Sequence, residues 1–159
     1  MNLKDLPKLI ASVFICQLAG IIGSLFTFSS ITSWYLFLNK PSFSPPNWIF
    51  GPVWTALYTL MGIALFLVWK KGVTNKEARG TVVLFLIHLA LNSLWSIIFF
   101  GFHNLLLAFL EIILLWLVII LVTAKFYKIN KLAAYLLIPY ILWVSFASVL
   151  NFSIWWLNR

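Results

Sequence analysis

The chain has 159 residues, of which only eleven are Lys or Arg and three are Asp or Glu, while 64% are hydrophobic. A soluble domain carries about a quarter charged residues, so this composition, with a mean hydropathy of +1.05, excludes a separate soluble domain and predicts one polytopic membrane domain over residues 1–159. The net charge of +8 is not gathered into a basic stripe, which argues against a nucleic-acid partner, and a single cysteine, Cys16, allows neither an intramolecular disulfide nor a cysteine-built metal site.

Five apolar segments are long enough to cross a hydrocarbon core, which takes about 20 helical residues. They lie near residues 9–28, 48–69, 81–102, 105–126 and 132–157. The predicted fold class is an all-α membrane protein, a five-transmembrane-helix bundle. Lys4 and Lys8 precede the first segment as in a signal peptide. The segment is longer than a typical signal core, however, and no Ala-x-Ala site follows, so it is expected to stay as a span. Within it Ser12, Cys16, Gly20 and Ser24 recur every four residues, a small-residue stripe that suits close helix approach within the bundle or across a dimer.

Residues 29–47 form an aromatic, proline-rich loop. Pro41, Pro45 and Pro46 remove backbone donors and disfavour helix, yet the stretch from Trp34 to Trp54 also holds Tyr35, Phe37, Phe43, Trp48 and Phe50. Such a loop serves either as an interfacial belt or as a lid over a cavity between helices. Loop charge sets the expected orientation. The N-terminus and the second and fourth loops hold Lys4, Lys8, Lys70, Lys71, Lys76, Arg79, Lys125, Lys128 and Lys131, and the opposite side holds Lys40 and Arg159. By the positive-inside rule the N-terminus is cytoplasmic and the C-terminus outside, in a cell inner membrane.

The second segment opens with Gly51-Pro52, and Trp54, Tyr58, Met61, Leu65 and Trp69 follow at helical spacing, a stripe suited to packing or to a ligand wall. The third places His88, Asn92 and Trp95 on one face. The fourth carries Glu111, a charge deep in a span that must face the bundle interior, as a structural partner of a tyrosine or tryptophan or as a proton site. The fifth repeats Tyr135, Pro139, Trp143, Ala147 and Asn151 every four residues. Pro139 should kink it, and the mix of large and small residues leaves room beside Trp143. His88, Asn92 and Asn151 read most simply as interhelical hydrogen-bond partners.

Several chemistries lack their residues. No Gly-x-Ser-x-Gly accompanies a histidine base, and no glycine-rich phosphate loop is present. His88 has no second span histidine to share a haem, and three carboxylates and two histidines are scattered too widely for zinc or di-iron. No cofactor or metal is predicted. Tryptophan is what remains, nine residues concentrated in the loop and in the second, third and fifth segments.

The stretch WYLFLNKPSFSPPNWIFGPVWTALYTLMGIALFLVW, followed by LALNSLWSIIFFGFHN and LAAYLLIPYILWVSFASVLNFSIWWLN, resembles the tryptophan-rich sensory protein / translocator protein family, also called the peripheral-type benzodiazepine receptor family. The resemblance runs from Trp34 to Asn158, and the motifs KPSF-x-PP, LN-x-x-WS and PY-x-x-W-x-x-FA-x-x-LN occur in order. It implies a five-helix bundle, usually a homodimer, with a pocket facing the first loop. It also implies binding of porphyrins and haem-like tetrapyrroles, and of isoquinoline carboxamide and benzodiazepine drugs. Carried onto this chain, the pocket takes in Trp34, Trp54, Asn92, Trp95, Trp143, Ala147 and Leu150. Tyr58 and Asn151 join it from the helical spacing. Trp54 and Trp143 resemble the pair linked to light- and oxygen-dependent degradation of protoporphyrin. The functions implied are a membrane receptor for tetrapyrroles, an enzyme degrading protoporphyrin IX, or a tetrapyrrole transporter with Glu111 as proton site. A bound porphyrin would stack on Trp54 and Trp143, oriented by Asn92 and Asn151, with its carboxylates at the wet mouth near Lys40. The sequence departs from the animal sterol motif: Phe152 stands in place of its tyrosine and Arg159 is too distant, so sterol binding is not expected. His88 stands where many relatives have glutamine, and Glu111 where some have aspartate.

Overall fold

The computed structural model describes residues 5–71 and 76–159, without the side chains of residues 76 and 77. Five helical stretches long and apolar enough to cross a membrane are present. They comprise α1 (Leu6–Ile31), α2 (Phe50–Lys70), α3 (Lys76–Ser96), α4 (Leu105–Ile129) and a last span divided into α5 (Lys131–Tyr135) and α6 (Ile138–Leu157). No strand occurs among the described residues. Helices satisfy their backbone groups internally, which is why apolar segments of this length fold this way in lipid. Their outer faces carry exposed Phe14, Leu25, Leu110, Leu117 and Leu142, the surface that hydrocarbon solvates.

The helices pack as a ring. α1 lies against α2 and α3, α3 against α4, α4 against α6, and α2 against α5. The small-residue stripe of α1 is consumed inside this ring: Ser12 and Cys16 are fully buried, and a Cβ built on Gly20 would meet the Tyr58 ring at 2.5 Å. The answering glycine on α2 is Gly62, where a Cβ would lie 2.5 Å from Val13 Cα. Backbones approach that closely only where a side chain is missing.

Pro52 sits in the first turn of α2, where its missing N–H costs nothing. The kink expected from Pro139 appears as a break. α5 ends at Tyr135, and α6 restarts at Ile138 with the proline in its first turn. α5 rests on both α4 and α2, and α6 continues along α4 toward the loop end of the bundle. At that same end α3 finishes in a π turn, Ile97–Gly101, with Phe102 N–H donating to Ile97 O at 2.9 Å. The apolar run IIFF carries no signal for that turn. His103 then adopts a left-handed φ of 55°, and Asn104 caps α4 by accepting from Leu107 N–H at 3.0 Å.

The lysine-rich helix ends lie together. Lys70 pairs with Asp5 at 2.8 Å, joining the end of α2 to the start of α1. Lys4 falls outside the described residues, as does the side chain of Lys76.

Candidate ligand cavity

A cavity of about 540 Å³ occupies the loop end of the bundle, within the 300–1,000 Å³ usual for small-molecule sites. α1, α2, the end of α3 with its π turn, and α6 form the walls. α4 contributes none, and the loop closes the end with Tyr35, Asn47 and Trp48. Of the residues singled out from the sequence, Trp54, Tyr58, Trp95, Trp143, Ala147, Leu150 and Asn151 line this space together. Trp34 and Asn92 do not.

Trp34 stands behind the wall. Its ring stacks on His103 at 4.2 Å and meets Phe99 edge-on at 5.8 Å, so it fastens the loop to the π turn. Asn92 is buried one layer deeper. Its Oδ1 accepts from the Tyr58 hydroxyl, and its Nδ2 donates to the Tyr140 hydroxyl at 2.8 Å. One asparagine thereby braces α2, α3 and α6, the interhelical role expected of it, and it fixes the Tyr58 ring that forms part of the wall. Asn151 acts likewise from α6: Oδ1 accepts from Trp95 Nε1 at 3.0 Å and Nδ2 donates to Leu105 O at 3.0 Å.

The tryptophans divide by hydrogen bonding. Trp95 is held by Asn151, and Trp116 by Ser145 at 2.8 Å. Trp54 and Trp143 donate to no partner among the described residues, and their rings do not touch each other. Trp54 is backed by Tyr58 at 5.5 Å, and Trp143 by Phe50 at 6.1 Å and Phe146 at 5.6 Å. The two indoles stand on α2 and α6 as supported walls with unspent N–H donors.

Three expectations are corrected. His88 makes no bond to another helix: its Nδ1–H donates to Phe85 O in its own helix, and its ring packs 5.7 Å from Tyr140. A histidine within reach of its own i−3 carbonyl satisfies itself there. Glu111 is 7% exposed and faces the interior as expected, but neither carboxyl oxygen has a tyrosine, a tryptophan or any other hydrogen-bond partner among the described residues. It stands on α4, away from the cavity walls. Lys40 does not line the cavity mouth. Its ammonium donates to Tyr35 O at 2.7 Å and lies 4.6 Å from that ring's centre.

The loop divides between outward-facing and cavity-facing aromatic rings. Phe37 is 87% exposed and faces outward, Trp48 is 73% exposed at the edge of the cavity, and Tyr35 is buried and lines it. Asn39 and Asn158 exchange two bonds of 2.9 Å, tying the loop to the end of α6. Burial raises the Tyr35 phenol above its usual range, so the folded loop favours the neutral form. Docking energy from this group is therefore full below the ordinary phenol value, about 10, and is lost as pH rises through the shifted value. Proteolysis of the loop should accelerate above that pH in wild type and much less in Tyr35→Phe, which keeps the ring and Lys40. Equal alkaline sensitivity in the two proteins would mean that the Tyr35 phenol does not hold the loop.

Five apolar spans, four of them walling a tryptophan-rich cavity, define an integral multi-pass membrane protein. The sequence profile described as TspO/MBR family matches residues 12–157. The chain is 45% identical to the tryptophan-rich protein TspO of Archaeoglobus fulgidus over 155 residues, covering 97% of this chain and 99% of the relative. It is 44% identical to the protein of that name from Chlorobaculum tepidum, covering 98% of each chain. To the human translocator protein it is 38% identical over 140 residues, 87% of this chain and 83% of the relative. The chain belongs to the TspO/MBR family.

Proposed function

We propose that this protein is a membrane receptor for tetrapyrroles, binding one flat porphyrin-like ring in the cavity below the aromatic loop. One observation carries the reading. Trp54 and Trp143 flank an apolar space of about 540 Å³, each backed by aromatic rings and each with its indole N–H unspent. A large π-system is the guest that two supported indole walls and aliphatic Leu150 would bury best. The ring's carboxylates would stay in water at the mouth, since Lys40 is engaged with Tyr35. Asn151, its amide shared between Trp95 and Leu105, orients the wall as much as the guest. Flat isoquinoline carboxamide and benzodiazepine drugs suit the same space.

The charge distribution supports a cytoplasmic N-terminus in a cell membrane, with the cavity mouth on the opposite side. Homodimerisation belongs to the same reading. With the α1 stripe used inside the ring, a dimer would form on another helix face.

The unspent indoles also favour a second reading, light-driven oxidation of bound protoporphyrin. There the excited ring and oxygen supply the oxidant, and Trp54 or Trp143 relays an electron. Titration of protein in detergent with protoporphyrin in the dark, followed by illumination, tests both. Saturable quenching of tryptophan fluorescence is expected, with about tenfold weaker binding when either indole is replaced by leucine. Loss of the porphyrin band in wild type but not in Trp54→Phe/Trp143→Phe, at equal affinity, would make the protein an enzyme. No saturable binding would overturn both readings.

A further inference from the structure

Gln17 stands about 17 Å along α1 from Leu6, near the middle of the span. Its amide nitrogen donates to Thr55 O at 3.1 Å and to Thr59 Oγ1 at 3.0 Å on α2. Chemistry fixes this orientation. Thr55 O can only accept, and the Thr59 hydroxyl already donates to Thr55 O at 2.8 Å, so both present lone pairs to the amide. Both N–H groups are spent on α2, and Oε1 is directed elsewhere.

That oxygen accepts no hydrogen bond among the described residues, and Gln17 lines the cavity. Two hydroxyls on the same walls are already spent: Ser24 donates to Ile21 O at 2.7 Å and Thr55 to Gly51 O at 2.9 Å, each within its own helix. At this depth lipid supplies no proton either, and a carbonyl left without a donor in hydrocarbon is unfavourable. The α1–α2 seam therefore holds a fixed, unsatisfied acceptor on the cavity wall, oriented before any ligand arrives.

We infer that Gln17 Oε1 is a specificity-determining contact, selecting ligands whose buried edge carries an O–H or N–H donor. The inference rests on the tetrapyrrole reading above and narrows it. With its carboxylates at the mouth, a porphyrin presents its opposite edge toward the depth of Thr55, Tyr58 and Gln17. Hydroxyethyl groups on that edge can donate to Oε1, whereas vinyl groups cannot. The bond forms without any reorganisation of Gln17, because α2 already holds the amide.

The test compares two probes, protoporphyrin IX and haematoporphyrin, which carries hydroxyethyl groups in place of the vinyls. Each is titrated in the dark into the full chain in detergent. The ratio of their Kd values is measured in wild type, Gln17→Leu and Gln17→Met. The ratio cancels general differences in solubility, and methionine keeps the side-chain length should leucine fail to fold. The expected result is a shift of about tenfold in that ratio toward protoporphyrin IX when the amide is removed. A ratio unchanged in the variant that folds overturns the Gln17 assignment and leaves the tetrapyrrole reading standing. Failure of wild type to bind either probe saturably overturns that reading and the inference with it.

Discussion

Gly62→Leu should leave little folded protein and no cavity. The Cβ of any side chain there would lie 2.5 Å from Val13 Cα and 3.0 Å from Val13 N, atoms of the α1 backbone that cannot rotate away. Overpacking against yielding side chains costs about 1–3 kcal/mol, and a backbone clash exceeds that range because α1 and α2 must separate as units. Separation would also pull Gln17 from Thr55 and Thr59 and release the Tyr58 ring packed on Gly20, so the α1 and α2 walls fail together. Gly80→Ala is the control: nothing lies within 4 Å of a Cβ there, and alanine inside a helix should raise stability by about 0.5–1 kcal/mol. Thermal melts by circular dichroism, with size-exclusion profiles in detergent, separate the outcomes. Gly62→Leu melting within a few degrees of wild type would mean that the helix pair is not spaced by this glycine.

The fold was legible because lipid imposes one dominant rule, that an apolar segment of spanning length becomes a helix. The five segments appear where hydropathy placed them, with ends extended by a few residues, as at Leu6–Ile31 and Leu105–Ile129. Pro139 announced the break in the last span for a local steric reason. The π turn at Ile97–Gly101 had no such signal, since IIFF is as compatible with α as with π geometry. Tertiary contacts distinguish them: Trp34 and Tyr35 pack on the turn's phenylalanines, and the Ser30 hydroxyl donates to Phe100 O at 2.7 Å.

At the cavity, helical spacing brought Trp54, Tyr58, Trp143, Ala147 and Asn151 together because a face is a property of one helix. Which layer a residue occupies is a property of several helices, and spacing does not reach it. Asn92 shares a face with Trp95 yet lies behind the wall, because Tyr58 and Tyr140 come from α2 and α6 to claim its amide. Gln17 was missed for the same reason. A lone glutamine in an apolar run has no pattern, and its meaning appears only once Thr55 and Thr59 stand opposite. A signal was present all the same: a primary amide at mid-span has to spend its hydrogens somewhere.

The Tyr58–Asn92–Tyr140 brace makes Asn92→Leu the most damaging single change that adds no bulk to a crowded backbone. Asn92 is 3% exposed, and its removal takes the acceptor from the Tyr58 hydroxyl and the donor from the Tyr140 hydroxyl, both in residues at most 6% exposed. Each orphaned buried hydroxyl costs about 1–3 kcal/mol, so a loss of about 3 kcal/mol or more is expected. Affinity for a cavity ligand should also fall several-fold, although Asn92 does not line the cavity, because the Tyr58 ring behind Trp54 loses its anchor. The informative comparison is Tyr58→Phe/Asn92→Leu/Tyr140→Phe. It removes the hydroxyls with the amide, leaves no orphan, and should recover much of the stability that Asn92→Leu alone forfeits. Melting temperature reports the first effect and porphyrin Kd the second. If the triple variant melts as low as Asn92→Leu, the loss lies in packing volume rather than in unsatisfied hydroxyls. If it recovers stability but not affinity, the brace serves chiefly to aim Tyr58 at the ligand.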